Sequence, residues 1–148
     1  MNISESGLDL IKKFEGFVGH CYYDSVGIKT IGYGHVIRHG EEQLLHTAFT
    51  EAEAAALLRR DVGEYEQAVR QAVGAHVVTQ NQFDALASFA YNLGPGAVTK
   101  LVPHLGLGQP PIPAVVRLRF GQWCNAGGRP LDALVKRRAL EAMLYLKP

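Results

Sequence analysis

The sequence predicts an α+β fold in which an N-terminal helix and a small antiparallel sheet lead into a larger helical body. Three observations carry that expectation. Apolar residues recur at helical spacing up to residue 15. Residues 21–36 are rich in Tyr, Ile, Thr and Gly and have no helical period. After residue 50, two capping boxes open segments rich in Ala and other apolar residues. The 148 residues, 47% apolar and 20% charged, suit one domain with its own core and exclude a disordered or fibrous chain. The expected organisation is a single domain over 1–148, with a sheet lobe at about 16–40 and a helical lobe at about 50–148 to which the helix 4–15 belongs.

Residues 4–15 read as a helix because Ser4 can cap it and Leu8, Ile11 and Glu15 share one face, with Phe14 beside them and Gly16 as the stop. Residues 21–23 and 28–33 read as short strands joined by the turn Asp24-Ser25-Val26-Gly27, and Gly32 and Gly34 let the second strand bend. Thr50-Glu51-Ala52-Glu53 opens a helix to about Val73. Thr79-Gln80-Asn81-Gln82 opens another to about Asn92, with Phe83, Leu86, Ala87 and Ala90 inward. Leu93-Gly94-Pro95-Gly96 breaks that helix, and Pro103, Pro110, Pro111 and Pro113 mark an irregular stretch with at most a short helix. Residues 114–123 and 131–146 read as the last helices. Phe89, Tyr91 and Trp123 are expected in the C-terminal core, and Lys136-Arg137-Arg138 on a solvated helix face.

Several function classes drop out. A net charge of +1 argues against a nucleic-acid binder. No apolar run approaches the roughly 18 residues of a membrane helix, and residues 1–13 alternate apolar and charged groups, unlike a signal peptide. Cys21 and Cys124 are too few for a disulfide framework and read as reduced thiols. His35, His39 and His46 are interrupted by Gly40 and form no H-E-x-x-H pattern, so no metal and no cofactor is expected. No G-x-S-x-G elbow is present, and Cys21 has only His20 as a nearby base.

Carboxylates are the remaining candidates. Glu15 faces the negative end of a helix macrodipole on an apolar face, and both effects disfavour the ionised form, as a general acid requires. A rim glutamate paired with an arginine is the alternative. Asp24 follows nine residues later, across a helix-to-sheet junction, where the two carboxylates can face each other over a groove. Asp is also common in turns for local reasons. Thr30, on the returning strand, can help hold a water near Asp24, though Thr is a favoured strand residue anyway.

Phe14-Glu15-Gly16, Tyr23-Asp24-Ser25-Val26-Gly27 and Lys29-Thr30-Ile31-Gly32-Tyr33-Gly34-His35 together resemble the catalytic signature of the phage-type lysozymes, the endolysin muramidases of glycoside hydrolase family 24. Residues 79–86 with Phe89-Ala90-Tyr91-Asn92 are similar to that family's central helix, and Trp123-Cys124-Asn125-Ala126-Gly127-Gly128 with Leu134-Val135-Lys136-Arg137-Arg138 to its C-terminal signature. The four-proline stretch at 102–116 departs from the family's leucine-rich helix, and Leu131-Asp132-Ala133 stands in place of its Pro-Gly pair.

The resemblance implies a lysozyme-like fold and hydrolysis of the β-1,4 bond between N-acetylmuramic acid and N-acetylglucosamine in peptidoglycan. It makes Glu15 the proton donor, has Asp24 and Thr30 position the attacking water, and gives His35 a structural role through a carboxylate. Its carboxyl groups are expected at the inverting separation of about 6.5–9.5 Å. The protein is expected to be a monomer whose partner is the glycan strand, with no nucleic-acid partner and no stable membrane insertion. It is expected to accumulate in the host cytoplasm until a separate holin releases it to the wall. The alternative is a retired muramidase fold serving as a wall-binding or protein-interaction module.

Overall fold

The computed structural model describes all residues, Met1–Pro148. In chain order the elements are α1 (Glu5–Glu15), β1 (Val18–Tyr23), β2 (Lys29–Gly32), β3 (His35–Val36), a 3-10 turn (Glu42–His46), α2 (Glu51–Val73), α3 (Gln80–Leu93), α4 (Pro95–Leu101), a second 3-10 turn (Val102–His104), α5 (Pro113–Gly121), β4 (Asn125–Ala126), β5 (Arg129–Pro130) and α6 (Asp132–Tyr145). The expected α+β order holds. The chain forms two compact units, one of Leu8–Gly63 and one of Met1–Gly7 with Glu64–Pro148.

In the first unit β1, β2 and β3 form an antiparallel sheet in that order. Tyr22 pairs with Thr30 and Tyr23 with Lys29, while the register shifts between Val18 and Tyr22, so β1 carries a bulge and starts earlier than its sequence texture suggests. The third strand pairs Thr30 with Val36 and Ile31 with His35. Two residues are too few to show an alternation, which is why pattern reading misses it. Ile31 and Leu58 are buried here.

In the second unit the middle of α3 is covered on every side, since each residue from Phe83 to Ala90 is buried. The predicted inner face is therefore only part of its buried surface. Thr79 and Gln82 cap the helix reciprocally, the Thr79 hydroxyl accepting from the Gln82 N–H at 3.2 Å and Gln82 Oε1 from the Thr79 N–H at 2.9 Å. Phe89 meets Phe120 and Trp123 edge-on, each with centroids 5.5 Å apart, and Tyr91 meets Tyr65 at 5.1 Å. The sequence Gly94-Pro95 ends α3 and starts α4 at once, because Pro at the first helical position lacks only an N–H that has no helical partner there. Pro113 starts α5 the same way.

Of the basic run only Lys136 lies on a solvated face. Arg137 and Arg138 are buried around Glu141, which is fully buried. Arg137 Nε reaches Glu141 Oε1 at 3.2 Å, and an Arg138 terminal nitrogen reaches the same oxygen at 3.0 Å. Arg138 Nε lies 2.7 Å from Glu141 Oε2 as a charge contact rather than an aligned hydrogen bond. The Ser88 hydroxyl donates to Glu141 at 2.8 Å, Arg138 donates to Asn92 Oδ1 at 2.9 Å, and its guanidinium lies 4.9 Å from the Phe89 ring centroid. Spacing of i, i+3 and i+4 reads as surface pairing from sequence. Here it builds one buried cluster against α3.

Removing the carboxylate leaves two buried guanidiniums without their counter-charge. Glu141→Ala is expected to cost about 3–5 kcal/mol of stability, read as a lowered urea midpoint. A loss under about 1 kcal/mol, the range of exposed pairs, would mean that the cluster adds no more than surface charges do.

Candidate active site

Glu15 is the last residue of α1, and the chain leaves the helix through Gly16, whose N–H bonds the Lys12 carbonyl at 3.0 Å. The side chain is half-buried. Gly34, between β2 and β3, has φ +83°, and a Cβ added to it would stand 3.1 Å from Glu15 Oε2. A glycine is needed twice over, for the left-handed backbone and for the close approach to the carboxyl group.

Asp24 opens the β1–β2 turn, and its Oδ1 accepts the N–H groups of Val26 at 2.9 Å and Ile28 at 2.8 Å. That is the local reason for an Asp here. Oδ2 makes no hydrogen bond within the chain. Thr30 is buried and its hydroxyl donates to the Ile28 carbonyl at 3.0 Å. Its proton is thus committed, and what it can offer a water is an acceptor lone pair.

The structure adds Tyr22, which sequence reasoning did not single out. Burial raises its pKa, and the negative charges of Glu15 and Asp24 both raise it further. One side chain thus feels both predicted carboxylates. The signal was present in the alternation, since positions 22 and 24 of an extended segment share a face.

His35 is held by carboxylates on both sides, its Nδ1 lying 2.6 Å from Asp61 and its Nε2 2.9 Å from Glu41. Arg60 completes the cluster, 3.1 Å from Glu41 and 3.3 Å from the second Asp61 oxygen. The hydrogen bond that His35 donates to Asp61 raises the His35 pKa, against burial, and Glu41 adds to the rise. The Arg38 N–H, followed by His35 and Arg60, holds Glu41 down to about 2. Nothing in the sequence pointed to Glu41 or Asp61, which stand six and 26 positions from His35. His39 is fully exposed beside Glu42, and no group of three or more His, Cys, Asp or Glu side chains is arranged to hold a metal ion. Cys21 and Cys124 are unpaired.

The family model for phage lysozyme matches residues 12–141. The chain is 40% identical over 149 residues to the endolysin of Bacillus phage PZA, an alignment that covers 98% of this chain and 55% of that protein. It thus spans about half the length of that relative. Among solved structures, an endolysin from Escherichia coli O157:H7 phage FAHEc1 superposes with a TM-score of 0.84 at 33% identity, covering 99% of this chain and 94% of that one. The muramidase domain of SpmX from Asticaccaulis excentricus does so with a TM-score of 0.80 at 33% identity, covering 99% of both chains.

The His35 cluster has a defined pH window. A raised imidazole contributes its stability in full below about pH 6.5, the unfolded value, and loses it as pH rises through the folded value. A lowered carboxylate contributes in full above about pH 4.3 and loses it as pH falls towards the folded value. The melting-temperature difference between the wild type and His35→Gln should therefore peak between about pH 4.5 and 6.5 and shrink on both sides. A difference that stays constant from pH 4 to 9 would remove the ion pairs as its cause.

Proposed function

The chain belongs to the phage lysozyme family, and from that premise we propose that it is an endolysin muramidase that hydrolyses the β-1,4 bond between N-acetylmuramic acid and N-acetylglucosamine in peptidoglycan and so lyses bacterial cells. The observation that supports this most is the setting of Tyr22, which feels both Glu15 and Asp24, two carboxylates supplied by different elements. Two carboxyl groups in different environments are what glycoside hydrolysis requires.

In the proposed reaction the Glu15 carboxyl group donates its proton to the glycosidic oxygen as the bond to the anomeric carbon breaks. A water attacks that carbon from the opposite face and gives a proton to Asp24. Asp24 Oδ1 is occupied by two backbone amides, so Oδ2 is the oxygen that takes the proton. The Thr30 hydroxyl donates to Ile28, so it orients the water by accepting the water's second hydrogen. No metal or cofactor enters these steps. The reading extends to a single muramidase domain over 1–148 that works as a monomer on glycan strands, with no nucleic-acid partner. It gathers in the host cytoplasm before a separate holin opens its way to the wall. No helix is long and apolar enough to cross a membrane.

Glu15→Gln keeps the shape of the side chain and removes the proton it must give. Lysis of purified walls should fall by about 10²–10⁴-fold, with the melting temperature unchanged or slightly higher because a negative charge leaves a helix C-terminus. Lysis within tenfold of the wild type would take Glu15 out of the mechanism. Gly34→Ala should also lower turnover, since the methyl group enters the space beside Glu15 Oε2.

The stereochemistry is a separate test. With a water between the base and the sugar, the two carboxyl groups stand at about 6.5–9.5 Å and the reaction inverts. NMR of the first product from the β-linked substrate should show the α-anomer. An initial β-anomer would exclude direct attack by water while leaving the muramidase reading in place.

A further inference from the structure

The second unit contains a cationic pocket that the proposed reaction does not use. Its volume is about 400 Å³, and it is lined by Lys100, Leu101, His104, Arg119, Gln122 and Trp123. Lys100 and Leu101 end α4, His104 ends the 3-10 turn that follows, Arg119 lies in the last turn of α5, and Gln122 and Trp123 come just after it. No carboxylate lines the pocket.

Arg119 contrasts with the two buried arginines of α6. Arg137 and Arg138 have the Glu141 carboxylate as counter-charge, whereas the buried Arg119 Nε has neither a hydrogen-bond partner nor a carboxylate beside it. The side chains of Lys100, His104 and Gln122 likewise make no hydrogen bond or ion pair. Buried donors are nearly always satisfied, and an unsatisfied one at the wall of an open pocket calls for an acceptor from outside. Donors from three segments converge on the space, and the Trp123 ring, packed against Phe89 at 5.5 Å, gives it a rigid apolar wall.

We propose that this pocket binds an oxyanion and that its ligand is a phosphate group. Lys100 and Arg119 bring an ammonium and a guanidinium group to the pocket, and His104 an imidazole. A carboxylate answers only one of them. A phosphate monoester carries about −1.5 to −2 charges and three acceptor oxygens, which suits a guanidinium, an ammonium and an amide arriving from different directions. On the wall-hydrolase reading, which this inference takes as given for the source, the phosphate belongs to a polymer of the bacterial wall. Binding there holds the protein on its substrate.

Trp123 is the only tryptophan in the chain, so its fluorescence reports the pocket directly. Inorganic phosphate titrated at constant ionic strength should give a saturable change. Acetate should bind at least tenfold more weakly, and chloride should give no saturation. Arg119→Met should weaken phosphate binding at least tenfold while circular dichroism stays unchanged, and Arg119→Lys should restore part of it. If Arg119→Met fails to fold, Lys100→Gln carries the same test. A response no different from chloride, equal affinity for acetate, or variants that bind like the wild type would each overturn the phosphate site. Sedimentation of Glu15→Gln with walls before and after removal of phosphate polymers by hydrofluoric acid tests the source. Retention should fall on stripped walls, and equal retention would exclude the polymer. Because these readouts are binding, their failure with wall lysis intact would sink this inference alone.

Discussion

The burial of the middle of α3 on every side is the constraint from which the second unit follows. The middle of a helix that shows no face to water there cannot carry a polar side chain unless another segment satisfies it. Two such residues sit in its centre, Asp84 and Ser88, and both are fully buried. Asp84 accepts from the Ser4 N–H at 2.9 Å, from the Ser4 hydroxyl and from Gln80 Nε2 at 2.8 Å. Ser88 donates to Glu141, and its carbonyl accepts from Arg137 at 3.2 Å. The two ends of the chain are therefore both bound to one central helix. Ser4, fixed by Asp84, is also the residue that caps α1, since its hydroxyl receives the Gly7 N–H. The N-terminal cap of α1 is thus tied to α3.

The carboxylates of the first unit divide by what faces them. Glu41 and Asp61 are matched to His35 and Arg60, and Glu41 is held at about 2, where it stays ionised and cannot exchange protons near neutral pH. Asp24 is held instead by two neutral amides through a single oxygen. This fixes its position without a cation and leaves the other oxygen available. The same side-chain chemistry is a clamp in one case and a candidate base in the other, and the partners alone make the difference.

What was legible in the sequence was what local chemistry decides. The reciprocal caps at Thr50 with Glu53 and at Thr79 with Gln82 formed as read, because each needs only a three-residue separation. The turn at Asp24 was read correctly for the same reason. What escaped depends on partners distant in sequence. Arg137 and Arg138 look like surface residues until Ser88, 53 positions before Glu141, makes their side of α6 an interior one. Asp61 lies midway along α2 and looks like any exposed helix acid until His35 arrives against it. The prolines at 95 and 113 look like breaks in the sequence, although proline ends one element and begins the next with equal ease.

The sheet explains why the His35 cluster matters to the candidate site. Strands of six, four and two residues make a ladder too small to be stable by its own pairing. The first turn of this ladder places Asp24, and its second places Gly34 beside Glu15. His35 begins β3, immediately after Gly34, and its ring is fixed by Asp61 of α2 and by Glu41, just before the first 3-10 turn. Loosening the cluster would therefore free the strand that closes the second turn, and with it the backbone that lies against Glu15. Stability and chemistry meet in adjacent residues, Gly34 giving room to the proposed acid and His35 holding that room in place.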